Sequence, residues 1–223
     1  PKLTVDNVGK PWIVTPIKLV GNQEITFERG VEVLAKADEF KGGNDSLFSA
    51  RLAQNITLSG YGATLRMRRA DYDDATRYKR AEWRHVLQFH SCSNIKVLGL
   101  TLAESGGDGI YLGTGQAGVP NKNIIIRDVI CDKNYRQGIS VITAEDLLIE
   151  NTILRDTAGT APMAGIDFEP NGPDERIANV VMRNCVAEGN QSWGYVAYLP
   201  PLRATSAPVG LRFRNAAHQN RQT

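Results

Sequence analysis

Apolar and polar residues alternate in short runs along most of this chain, and helical spacing at i, i+3, i+4, i+7 is nearly absent. Four of the runs open on a glycine: "DGIYLG" at Gly109, "QGISVI" at Gly138, "AGIDFE" at Gly165 and "WGYVAY" at Gly194, at intervals of 29, 27 and 29 residues. Each is preceded by a second strand-like element, "NIKVLGLTL" from Asn94, "NIIIRDVIC" from Asn123, "DLLIENTIL" from Asp146 and "NVVMRNCVA" from Asn179. A β-type unit recurring at this interval buries its apolar face only against its neighbours, as in a solenoid.

The same pattern extends toward the N-terminus. Lys10 to Lys36 reads as strands broken by turns at Gly21-Asn22 and Arg29-Gly30, whereas "AKADEFKG" (Ala35 to Gly42) predicts a turn or two of helix. Arg68 to Arg84 interrupts the rhythm and is expected as a loop insertion leaning over the sheet that carries Asp108. Asn55, Asn94, Asn123, Asp146 and Asn179 each start a strand, where a short polar side chain suits a bend and can stack on its equivalent in the next coil. Stacked coils about 4.8 Å apart turn equivalent positions into ladders. The fold class that follows is all-β, a single right-handed parallel β-helix over residues 1–223 with the 68–84 insertion.

"GYGATLRM", "SGGDGIYLG", "NYRQGISV" and "AGIDFEPN" resemble the pectate-lyase-like (pectin-lyase-like) β-helix proteins, over roughly Gly21 to Asn220. The resemblance implies a carbohydrate-active, secreted or periplasmic protein with a polysaccharide or oligosaccharide as partner. The reaction stays open, because one scaffold hosts hydrolases, lyases, epimerases and binders.

Composition narrows the partners. With 26 basic and 24 acidic residues the formal charge is +2, without the basic excess of a nucleic-acid binder. No apolar run is long enough to span a bilayer as a helix, so no membrane partner is expected. Cys92, Cys131 and Cys185 have neither disulfide nor zinc spacing and read as small buried hydrophobes. The chain starts at Pro1 and stops after "FRNAAHQNRQT" without a recognisable cap, which leads to the expectation of a longer protein.

Candidate chemistry emerges from the phasing. With each glycine as position zero, positions +1 and +3 face inward (Ile110 and Leu112, Ile139 and Val141, Ile166 and Phe168) and +2 and +4 outward. The outward face then carries Asp167 and Glu169 about 6.5–7 Å apart, with Tyr111 and Ser140 below and Tyr198 above. Paired carboxyls suit glycoside hydrolysis, one protonating the leaving oxygen and the other activating water or attacking the sugar. The competing reading is two solvent-facing strand residues. Asp108 is expected at the lip of the same face, unless it only forms the Asp-Gly turn. Trp193 is the candidate sugar-stacking platform, with corner burial as its alternative.

The resemblance adds a second enzymatic reading, in which a base removes a uronate C5 proton while a cation neutralises the carboxylate. Arg136 with Tyr135 forms the candidate pair, against a plain salt bridge from Arg136 to Asp108 or Asp132. No metal is assigned to His85, His90 or His218, and no cofactor is expected. Calcium, as in many β-helix lyases, needs three or more converging acids, and Asp73/Asp74 and Asp167/Glu169 are the acid clusters available. A glycoside hydrolase is the leading reading, with a uronate lyase or epimerase and a non-catalytic glycan-binding or structural β-helix as alternatives.

Overall fold

The glycine intervals become strand register. In the computed structural model, which describes residues 1–219, Ile110 pairs with Ile139 and Ile139 with Ile166 in parallel strands. All three side chains are fully buried. The repeated glycine has a steric cause: a Cβ at Gly109 would meet the Gly138 carbonyl oxygen at 2.7 Å, and one at Gly165 would meet that of Gly194 at 2.5 Å. Backbone stacking at this corner leaves no space for a side chain.

Seven parallel strands form the sheet that carries these runs: Ile17–Lys18, Phe48–Arg51, Leu87–His90, Asp108–Gly113, Gln137–Val141, Ala164–Phe168 and Tyr195–Ala197. A second sheet of fourteen strands folds around the remaining sides. Gln54–Arg66 and Ser93–Ala103 run continuously through its corner. Later coils break there into pairs such as Asn121–Arg127 and Ile130–Asp132, or Ala144–Glu150 and Ile153–Arg155. Lys2–Val5 pairs with Gln23–Phe27, so the first coil begins ahead of Gly21. Asn220, the expected far boundary, lies outside the described residues.

Alternate side chains of the larger sheet fill the interior, with Ile95, Val97, Ile124, Ile126, Leu147 and Ile149 in register across coils. The three cysteines are free and buried. At the bends, Asn55, Asn94, Asn123, Asp146 and Asn179 adopt φ of 50–59°, the left-handed region that Asn and Asp tolerate best. Their amides link coils: Asn55 Nδ2 donates to Asn22 Oδ1 (2.7 Å), Asn94 to Asn55 (2.9 Å), Asn123 to Asn94 (2.7 Å) and Asn179 to Asp146 (2.6 Å). A second ladder joins Asp128, Asn151, Asn184 and Asn215 in the same way.

The helical turn expected over 35–42 is absent. Ala35 ends the strand Glu32–Ala35, and Asp38 (φ 64°) and Phe40 (φ 57°) take left-handed conformations that a right-handed helix cannot contain. The helical element among the described residues is instead the 3₁₀ turn Arg69–Asp73, inside the insertion.

Arg84 anchors that insertion. Its guanidinium lies 5.0 Å from the Tyr72 ring and 5.9 Å from the Tyr78 ring, donates from Nε to the Phe40 carbonyl (2.7 Å) and from Nη2 to that of Lys79 (2.6 Å). The two tyrosine rings meet edge-on at 5.1 Å, so they turn inward while Trp83 stays exposed. Arg84 also bridges to Gly106, which sets the insertion against the chain leading into Asp108–Gly113.

Candidate active site on the seven-stranded sheet

Register across the seven-stranded sheet lines up one outward column: Lys18, Ser49, Gln88, Tyr111, Ser140, Asp167 and Val196. Asp167 and Glu169 fall on this face of one coil, as the phasing requires. They are not open to solvent as expected. Asp167 is 3% exposed, and Asp108 and Ser140 are fully buried, so Asp108 lies beneath the surface and not at a lip.

The cover is polar and includes Arg136. Its Nη1 and Nη2 donate to Glu169 Oε1 (2.7 Å) and Oε2 (2.9 Å), and Nη1 also reaches Ser140 Oγ (3.4 Å). The same guanidinium lies 4.0 Å from Asp108 Oδ1 and 4.0 Å from Glu82 Oε1. Its tightest partner is Glu169; the expected pairing with Asp108 is present at 4.0 Å, whereas Asp132 pairs with Arg155 (2.9 Å). Burial works against the charge on Arg136, but Glu169, Asp108 and Glu82 outweigh it and hold the guanidinium well above its ordinary pKa.

Beneath this pair a polar chain runs across four coils. His85 Nδ1 accepts the Asp108 backbone N–H (3.0 Å) and lies 3.2 Å from Asp108 Oδ2, and Ser140 Oγ donates to that oxygen (2.7 Å). Ser140 Oγ also touches Gln137 Oε1, while Gln137 Nε2 sits 3.3 Å from both Asp167 Oδ2 and Glu169 Oε1. Burial, then the negative charges of Glu169 and Asp108, push the Asp167 carboxyl up to about 7 despite Arg136 nearby. The Tyr111 ring stacks on His85 at 4.6 Å, and its phenol is raised by burial and by Asp108 and Glu169. His85 Nε2, Asp108 Oδ1, Asp167 Oδ1 and Arg136 Nε are buried without a hydrogen-bond partner.

Trp193 (61% exposed) and Tyr198 (57% exposed) border the cluster from the following coil; Trp193 is therefore not buried at its corner. Tyr135 lines a cavity of about 220 Å³ with Arg69, Tyr72, Asp73, Arg80 and Gly106, and its ring carries the Arg69 guanidinium at 5.7 Å. The 68–84 insertion does border the Asp108 side, through Glu82 beside Arg136 and the Thr160 hydroxyl on Glu82 Oε2 (3.4 Å).

Gln137 and His85 belong to the cluster without having been singled out as site residues. Gln137 precedes Gly138 just as Asp108 precedes Gly109, so the glycine phasing already placed it there. In His85's coil the position of Gly109 is taken by Val86, which hid the alignment. Among the described residues no group of three or more His, Cys, Asp or Glu is placed to hold a metal ion. None of the described helices is long and apolar enough to cross a membrane.

No protein-family model matches this chain. The Bacillus subtilis (strain 168) protein YclG, itself uncharacterized, is 29% identical over 184 residues, covering 77% of this chain and 31% of YclG. The chain thus spans about a third of that relative's length. Among solved structures, an ι-carrageenase complexed to ι-carrageenan fragments superposes at a TM-score of 0.63, with 17% identity over 84% of this chain and 41% of the carrageenase. A family 28 exopolygalacturonase of Yersinia enterocolitica gives 0.59, with 13% identity over 100% and 55%. The pre-mature gene product 12 of bacteriophage phi29 gives 0.64, with 18% identity over 94% and 28%. At these identities the likeness is one of fold. The chain is a right-handed parallel β-helix.

Proposed function

We propose that this protein hydrolyses glycosidic bonds of a polysaccharide, with Asp167 as proton donor and Glu169 as the carboxylate that activates water. The observation that carries the reading is the unlike surroundings of two carboxyls on one strand face. Asp167 is buried among negative charges and keeps a proton close to neutral pH. Glu169 meets a guanidinium through both oxygens. Such a split assigns acid and base. Asp167 gives its proton to the leaving oxygen, Glu169 takes one from water, and the hydroxyl joins the anomeric carbon as the C–O bond breaks.

Asp108 supplies the buried charge that helps keep Asp167 protonated and, through Ser140, anchors the polar chain below it. Trp193, Tyr198 and Tyr111 offer ring faces to sugars on either side. Because Arg136 and Glu169 cover the acids, turnover requires the incoming sugar to draw that pair apart, with Arg136 then free to bind it. An ι-carrageenase of the same fold holds ι-carrageenan fragments, which supports a glycan partner and, with it, a secreted or periplasmic location.

A panel of polysaccharides assayed for new reducing ends tests the proposal. Wild type should release them from at least one polymer, and Asp167→Asn should not, with the circular dichroism of the coils retained. Ultraviolet-absorbing unsaturated products would move the assignment to a lyase. Binding without any product would leave a glycan-binding module.

A further inference from the structure

Ser140 has one hydroxyl hydrogen and faces two acceptors. Its Oγ is 2.7 Å from Asp108 Oδ2 and in direct contact with Gln137 Oε1. It already accepts an N–H from Arg136 at 3.4 Å. One hydrogen cannot serve both oxygens, and Ser140, Asp108 and Gln137 are all fully buried. A half-turn of the Gln137 amide exchanges its oxygen and nitrogen within the same volume. Nε2 then donates to Ser140 Oγ, the hydroxyl donates to Asp108, and the conflict at Ser140 disappears.

The turn moves the difficulty to the other end of the side chain. Gln137 Oε1 then faces Asp167 Oδ2 and Glu169 Oε1, each at the 3.3 Å where the amide nitrogen stood. Two bare oxygens this close and buried repel, unless a hydrogen lies between them. Asp167 is the group able to supply one, because Glu169 is engaged through both oxygens with Arg136.

We infer that Gln137 is a positioning residue: Ser140 turns its amide so that the carbonyl accepts a hydrogen bond from protonated Asp167 and holds that carboxyl in the acid form. The elevated pKa of Asp167 agrees with this. Once the proton has gone to a leaving group, the amide turns back, Nε2 donates to the new carboxylate, and the Ser140 hydroxyl swings to Gln137 Oε1. The role deepens the glycosidase reading and rests on it for the use made of the proton.

Other groups facing Asp167 are Glu169 on its own strand, Arg136 from the preceding coil, Asp108 with His85 and Tyr111 from the coils before that, and the Tyr198 backbone N–H above. Glu82 acts at one remove, through Arg136.

Carbon-13 NMR titration of the Asp167 carboxyl, in wild type, Gln137→Met and Ser140→Ala, tests this without substrate. A hydrogen bond to the protonated form raises a carboxyl pKa, so its loss in Gln137→Met should lower the Asp167 midpoint by roughly one pH unit. Ser140→Ala releases the amide to turn Nε2 toward Asp167 and should lower it as well. A raised or unchanged midpoint in either variant overturns the inference, and Ser140→Ala decides alone if Gln137→Met does not fold. A polymer panel without hydrolysis would instead remove the glycosidase reading and leave these midpoints as they are.

Discussion

Arg136 grips both carboxylate oxygens of Glu169, at 2.7 and 2.9 Å, from the preceding coil of the solenoid. Both side chains are 15% exposed, and the guanidinium also faces Asp108 and Glu82 at 4.0 Å. A cation so placed separates three carboxylates that would otherwise repel. Arg136→Ala should therefore cost about 2–4 kcal/mol in urea unfolding, as expected when one partner of a largely buried pair is removed. A loss within experimental error of zero would show that the carboxylates relax into solvent without it.

The raised pKa of Asp167 makes stability depend on pH in a defined direction. Its ordinary value is 3.8 and its folded value about 7, so the folded state holds the proton more tightly than the unfolded chain. The resulting stabilisation is complete below about pH 4 and is lost as pH rises through about 7. Asp167→Asn should flatten this part of the profile, with the largest difference from wild type, on the order of 2–4 kcal/mol, at and above pH 7. Denaturant midpoints between pH 4 and pH 8 measure it; parallel profiles for the two proteins would contradict the assignment. Hydrolysis, if Asp167 is the proton donor, should decline over the same range above pH 7.

Ile139 sits between Ile110 and Ile166 in the inner ladder and has no accessible surface. Truncating it to Ala should cost about 2–5 kcal/mol, because coils hydrogen-bonded on both sides cannot close around the void. A chemical melt showing less than about 1 kcal/mol would place this side chain elsewhere.

Arg84 offers a test of how the insertion is held. Replacing it with Met keeps a long apolar stem but removes the bonds to the Phe40 and Lys79 carbonyls and the charge between Tyr72 and Tyr78. We expect limited proteolysis to begin cutting within 68–84 while the circular dichroism of the coils is retained. Unchanged resistance would mean that the tyrosines hold the segment without the arginine.

What the sequence shows and what it conceals divide along physical lines. Alternation and glycine phasing report directly on backbone stacking, so the strands, the inward isoleucines and the shared face of Asp167 and Glu169 can be read from it. Depth cannot: Asp108 and Asp167 look like surface acids until Arg136, Gln137 and Glu169 close over them. The Arg136–Glu169 pair spans a corner whose path no local pattern encodes. Arg84 closes a stretch in which acids and bases alternate, a pattern that says nothing of its neighbours in space, which are two tyrosine rings and backbone carbonyls. The missing helical turn at 35–42 has a similar cause, since Phe40 is drawn into the core and takes positive φ there.

The asparagine columns at the bends have a direction. The amides of Asn55, Asn94, Asn123, Asn151, Asn179, Asn184 and Asn215 all donate toward the coil before them. Asp146 and Asp128 can only receive, so each marks a point where donation starts afresh. The two columns thus give the solenoid one sense along its axis, and neither spans it from end to end: the first stops at Asn179, beside Gly210 of the next coil, and the second starts at Asp128.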